Sequence, residues 1–79
     1  MMTNLYSLRD LKSQYTPPVA LKNDDMAKRY MAQLVEKDNT ISIFPEDFDL
    51  VRVGKFDTEQ GHLLEPENTL ICNGKEFEK

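Results

Sequence analysis

The sequence predicts an α+β domain: a small antiparallel sheet, ββαββ with a fifth strand as an option, covered on one face by a single amphipathic helix. Three observations lead there. Ala27, Tyr30, Met31, Leu34 and Val35 stand at offsets 0, 3, 4, 7 and 8, which is the one-faced spacing of a helix. Phe48 to Phe56 is rich in β-branched and aromatic residues, as a strand should be. Short apolar alternations bounded by Pro, Gly and Asn flank both. A chain of 79 residues is one small domain, spanning 1–79, whose core is thin.

The elements follow in order. Residues 4–10 read as a strand, with Tyr6 and Leu8 on one face and Leu5 and Ser7 on the other. Lys12 to Pro17 is a polar connection. Pro17 and Pro18 cannot donate to a ladder, so they belong at a strand end or a sheet edge before a short second strand at Val19–Leu21. Asn23, Asp24 and Asp25 suit a helix start, where short polar side chains accept the free N–H groups and acids face the positive end of the dipole. The helix is expected over 24–37, closed at Asp38-Asn39 by the tolerance of Asn for left-handed backbone. Pro45 steers Phe44 away from helical angles and opens a turn that Asp47 closes.

In the strand 48–56, strict alternation sends Phe48, Leu50 and Phe56 one way and Val51 and Val53 the other. Apolar side chains on both faces mark a central strand, or one covered by a partner chain. Phe48, Leu50, Val51, Val53 and Phe56 are therefore the candidate dimer or partner interface. Gly54 suggests a bulge or a close approach. Asp57 to Gly61 makes a hairpin loop, His62–Glu65 returns antiparallel, and Thr69–Cys72 is the optional fifth strand after Pro66. Asn73-Gly74 is a turn, and 75–79 should fray, with Phe77 as an anchor.

Composition excludes several function classes. Apolar residues are 39% and charged residues 30%, so the chain is not a disordered acidic tail. No run approaches the roughly 18 apolar residues of a membrane span, and Met1 to Asn4 lacks a secretory pattern, so a cytoplasmic protein with no membrane partner is expected. One cysteine, Cys72, and one histidine, His62, make neither a disulfide framework nor a zinc set, and no metal or other cofactor is expected. Three scattered glycines form no phosphate cradle. The carboxylate pairs are better placed for capping and turns than for acid–base work, so the chain reads as a non-enzyme with no catalytic residues.

The net charge is −4, which argues against a strongly cationic DNA coat. Its distribution is uneven: residues 1–40 carry +1 and residues 41–79 carry −5. A polyanion would therefore meet the N-terminal half. A single-strand binder combines cations with aromatic faces for base stacking. The candidates are Arg9, Lys12, Lys22 and Arg29 for phosphates and Tyr15 for a base. On residues alone, solvated charge and a protein-interaction role outweigh this reading.

A resemblance shifts that balance. The run Pro45-Glu46-Asp47-Phe48 through Gly54-Lys55-Phe56-Asp57 to Gly61 resembles the core of a small nonstructural protein of microviruses, the icosahedral single-stranded DNA phages, chiefly their gokushovirus branch. The opening Asn4-Leu-Tyr-Ser-Leu-Arg-Asp-Leu-Lys-Ser13 and the Asn23-Asp24 before the helix are similar too, so the likeness covers nearly the whole chain. It implies a DNA-binding accessory protein in the host bacterial cytoplasm, acting in single-stranded genome synthesis or packaging. The expected partners are then single-stranded DNA and phage replication or procapsid proteins; a second copy, in a homodimer, is expected from the thin core and the apolar residues on both faces of Phe48–Phe56. The alternative is an adaptor that contacts the phage replication initiator, the procapsid or a host factor without touching DNA.

Overall fold

A computed structural model describes residues 1–78. The strands are β1 (Met2–Asp10), β2 (Val19–Leu21), β3 (Phe48–Asp57), β4 (His62–Leu63) and β5 (Thr69–Asn73), and the helices are α1 (Asp24–Lys37) and α2 (Asn39–Ile43). Short 3₁₀ turns at Pro45–Asp47 and Gly74–Phe77 complete the chain. The sheet runs β2-β1-β3-β4, with β5 also on β3, and every pairing is antiparallel. This is the α+β architecture that the sequence predicts, with the fifth strand present.

Two long strands, β1 and β3, form the spine, from Met2 opposite Asp57 to Asp10 opposite Phe48. Both outer edges are broken. On one side Tyr15 bridges Arg9 and β2 pairs with residues 4–6, with Pro17-Pro18 between. On the other, β4 and β5 are separated by a segment containing Pro66, although Leu64 and Glu67 still donate to the carbonyls of Lys55 and Val53. Prolines on interrupted edges are a device against edge-to-edge pairing.

Ala27, Met31 and Val35 of α1 pack with Ile41 of α2 onto Tyr6, Phe48, Leu50 and Cys72 of the sheet. Both helices lie on one face of the sheet; among the described residues the opposite face carries no helix. Asn23 caps α1, its Oδ1 accepting from Met26 N at 2.9 Å. The helix ends differently from expectation. Asp38 is extended, and among the described residues none other than glycine has positive φ. Its carboxylate accepts from Thr40 N and Ile41 N, capping the start of α2 while its own N–H closes α1 on Leu34 O. One aspartate joins two helices, so left-handed backbone is not needed.

A bulge also revises the expected side-chain alternation. Tyr6 pairs with Arg52, but Leu5 pairs with Gly54, so β3 carries one extra residue, Val53. Parity reverses there. Phe56 pairs with Thr3 and falls on the helix-free face, not beside Leu50. The turn before β3 is made by backbone: Asp47 N donates to Phe44 O, and Asp47 O accepts from Leu11 N. The expected fraying at 75–78 is replaced by the 3₁₀ turn. Asn73 and Glu76 cap it reciprocally, and Phe77 packs on the core. Lys79 lies outside the described residues.

Candidate binding surface

The helix-free face is built from alternate residues of the spine: Thr3, Leu5, Ser7 and Arg9 of β1, with Asp49, Val51, Gly54 and Phe56 of β3. At one end of this face the side chains are tied together. The Arg9 guanidinium forms an ion pair with the buried Asp49 carboxylate, and Asn73 Nδ2 donates to the other oxygen of Asp49 at 2.7 Å. The Tyr15 ring lies over the Arg9 guanidinium, 6.0 Å from its centroid. Asn68, from the opposite edge, donates its amide to Tyr15 Oη at 3.1 Å. Ser7 and Val51, in the middle of this face, are buried.

The electrostatics follow the contacts. Asp49 and then Tyr15 hold the Arg9 guanidinium above its ordinary value. The Asn68 amide, then Arg9, draws the Tyr15 phenol below its own. Arg9 Nε is the one buried side-chain polar atom among the described residues with no hydrogen-bond partner. At the other end the face is looser. Nothing lies within 4 Å of where a Cβ on Gly54 would stand, so a gap opens between Leu5 and Phe56. Leu63, opposite Phe56, is 72% exposed, and Leu70, opposite Val51, is 58% exposed.

A second polar cluster lies on the helix side, at the start of α1. Arg52 Nη1 donates to both Asp24 oxygens at 2.9 Å, and its Nε donates to Glu67 Oε1 at 3.0 Å. Tyr6 Oη donates to Asp24 at 2.6 Å and accepts from Asn4, while Thr69 Oγ1 donates to Glu67. Burial, then the bond to Asp24, raises the Tyr6 phenol. This cluster fastens the helix start to the sheet. Asp24 thus spends its carboxylate on Arg52 and Tyr6, and Asn23 alone is the cap.

Of the sequence candidates for nucleic acid, four sit on the β1–β2 hairpin. Arg9 and Tyr15 are stacked on the open face, Lys12 is exposed in the hairpin turn, and Lys22 follows β2 at the sheet edge. Arg29 is exposed on α1, across the sheet from that pair. The candidate interface residues divide as well. Phe48 and Leu50 are buried beneath the helices, and Val51 is buried on the open face, so these three leave little surface for a partner. Val53 and Phe56 are half-buried and absent from the helix-side core. Reading the sequence missed Asp49, Asn68 and Asn73 as partners of Arg9 and Tyr15. The signal available was Asp49 and Arg52 themselves, charges set among the apolar residues Phe48, Leu50, Val51 and Val53 of the central strand, where a charge must be paired.

Among the described residues, no group of three or more His, Cys, Asp or Glu side chains is placed to hold a metal ion, and no helix is long and apolar enough to cross a membrane. Cys72 is buried and its thiol is pushed up to about 11 by burial.

The family model described as "Phage ORF5 protein" matches residues 3–77. The match takes in both spine strands and both polar clusters, and the chain belongs to that family. No curated protein and no solved structure matches it.

Proposed function

We propose that this member of the Phage ORF5 protein family is a non-enzymatic accessory protein of the host bacterial cytoplasm. It binds single-stranded DNA during genome synthesis or packaging, through the helix-free face of its sheet. The observation that carries this reading is the Tyr15–Arg9 stack at one end of that face, with the gap over Gly54 at the other. An exposed aromatic ring on a sheet surface is a stacking platform for an unpaired base, each stack contributing about 1–3 kcal/mol. Arg9, Lys12 and Lys22 flank it and supply phosphate contacts; Arg29 lies outside the footprint. The resemblance to the nonstructural proteins of microviruses supports the same role.

Three phosphate contacts to a single strand give a slope of log K against log salt of about −2. Fluorescence anisotropy with a labelled single-stranded oligonucleotide, repeated from low to moderate salt, tests this. The reading expects binding that weakens with that slope, is lost in Tyr15→Ala and Lys12→Ala, and is unchanged in Arg29→Ala. No binding at tens of micromolar protein in low salt removes direct DNA contact.

A second reading has its own observation. Leu63 and Leu70 leave apolar surface on the same face of a chain whose net charge is −4. That favours docking to a phage replication or procapsid protein without DNA. Partners recovered from infected cells after nuclease treatment support it, and their loss on nuclease treatment argues for the first reading.

A further inference from the structure

The Tyr15 ring is held in three ways. Its backbone is the first. Tyr15 bridges Arg9, and the next residue, Thr16, donates its N–H to Leu8 O at 2.9 Å while its carbonyl accepts from Ser7 Oγ at 2.7 Å. With the backbone set, the side chain keeps only two torsions. Asn68 is the second: its amide donates to Tyr15 Oη at 3.1 Å and pins the ring at its far end. Asn68 is placed in turn by its neighbours, since Glu67 N donates to Val53 O at 3.1 Å and Thr69 pairs with Arg52. Arg9, over which the ring lies, is the third. Its Nη2 is committed to Asp49, which is 6% exposed and takes a further bond from Asn73.

We propose that Asn68 and Asp49 are positioning residues of the base-stacking site: Asn68 through the Tyr15 hydroxyl, and Asp49 through Arg9, hold the ring in place before a nucleic acid arrives.

The proposal rests on the single-strand reading above and adds two residues to it. Tyr15 is 43% exposed in spite of its anchors, so they leave part of the ring open to a base. Tyr15 and Asn68 are both exposed, where a hydrogen bond replaces bonds to water and adds little to stability. What such a bond does supply is order. A ring already fixed avoids the entropy cost that binding otherwise bears. Asp49 is the more costly anchor, a carboxylate buried in the central strand and tolerable there only because it is paired. The pairing spends Arg9 Nη2 and leaves Nη1 for the phosphate contact.

Anisotropy with a labelled oligothymidine of about twelve nucleotides tests the proposal. Asn68→Ala and Tyr15→Phe should each raise the dissociation constant about two- to tenfold. Both changes cut the same bond, so the double variant should bind no worse than the weaker single one. Tyr15→Ala, which removes the ring, should bind worst. Asp49→Asn should also weaken binding; should it fail to fold, Asn68→Ala at its exposed site still reads the positioning role. A second readout needs no DNA. The Tyr15 phenol, followed by NMR, should titrate higher in Asn68→Ala, because the Asn68 amide is foremost in drawing it down. A wild-type chain that binds no oligonucleotide removes the single-strand reading and this proposal with it. A wild-type chain that binds, beside folded Asn68→Ala and Tyr15→Phe chains that bind equally well, overturns the proposal alone. So does an additive double variant or an unmoved Tyr15 titration.

Discussion

Of the glycine sites at which a backbone-to-backbone approach decides the outcome, Gly74 is the one where alanine should be strongly destabilising. A Cβ at Gly74 would stand 2.3 Å from the carbonyl oxygen of Pro45, 3.0 Å from its carbonyl carbon and 3.2 Å from its Cα. All three are backbone atoms, so no flexible side chain can swing aside. Ordinary contact begins near 3.4 Å, so the two segments must separate by about 1 Å. Neither is free to move. The Pro45 ring is buried, Asn73 Nδ2 holds Glu46 O at 3.1 Å, and Asn73 with Glu76 caps the turn that contains Gly74. Overpacking typically costs about 1–3 kcal/mol, and two pinned backbones place this case near the top of that range. A domain of this size has about 4–12 kcal/mol in total. At about 4–8 °C per kcal/mol, a cost of about 3 kcal/mol should lower the melting temperature by about 12–24 °C. Thermal and urea unfolding followed by circular dichroism would measure it. Gly54→Ala is the internal control, because nothing lies within 4 Å of its Cβ. That change should be neutral or stabilise by up to about 1 kcal/mol by narrowing the unfolded ensemble. If Gly74→Ala melted within about 3 °C of the wild type, the close approach would not be what requires glycine there.

Two further predictions concern titration and reactivity. Tyr6 and Arg52 hold the Asp24 carboxyl below its ordinary 3.8, and Arg52 and Thr69 hold Glu67 below 4.5. Both pKa values are depressed in the folded chain, so the stability they contribute is complete above about pH 4.5 and is lost as pH falls through the folded values. The urea midpoint should therefore drop between pH 6 and pH 3 by more in the wild type than in Arg52→Met; equal drops would refute the linkage. The Cys72 thiol, pushed up to about 11 by burial, should resist a thiol reagent at pH 8 in the folded chain and react at once in urea. Fast labelling of the folded protein would contradict that burial.

Local periodicity carried most of the fold. The 27–35 spacing gave α1 because five apolar positions on one face outweigh any single residue. The β-branched run gave β3, and Gly54 pointed to its bulge. Which residue was extra depends on the register with β1, set by residues about 50 positions away. The Phe56 side was misassigned for that reason. The helix α2 has five residues, too few to show a period, and its cap is the same Asp38 that ends α1. The binding surface was half legible. Arg9, Lys12, Tyr15 and Lys22 share a hairpin that sequence order suggests. The Asp49 that pairs with Arg9 and the Asn68 that holds Tyr15 come from 40 and 53 residues away. Arg29 joins the cationic candidates by sequence but not in space, because sequence nearness does not report which side of the sheet a helix covers.

The pairing of β1 with β3 has a consequence for biosynthesis. The first strand leaves the ribosome with almost none of its neighbours made. Its partner begins at Phe48 and ends at Asp57, and Met2 pairs with that last residue. Until β3 has emerged, β1 has only the short returning strand β2 beside it, and a two-stranded ribbon is marginal in water. A nascent chain truncated before residue 48 lacks the central strand altogether. The sheet should therefore close only once β3 has emerged, and a product arrested before Phe48 should be degraded rather than persist as a smaller working unit.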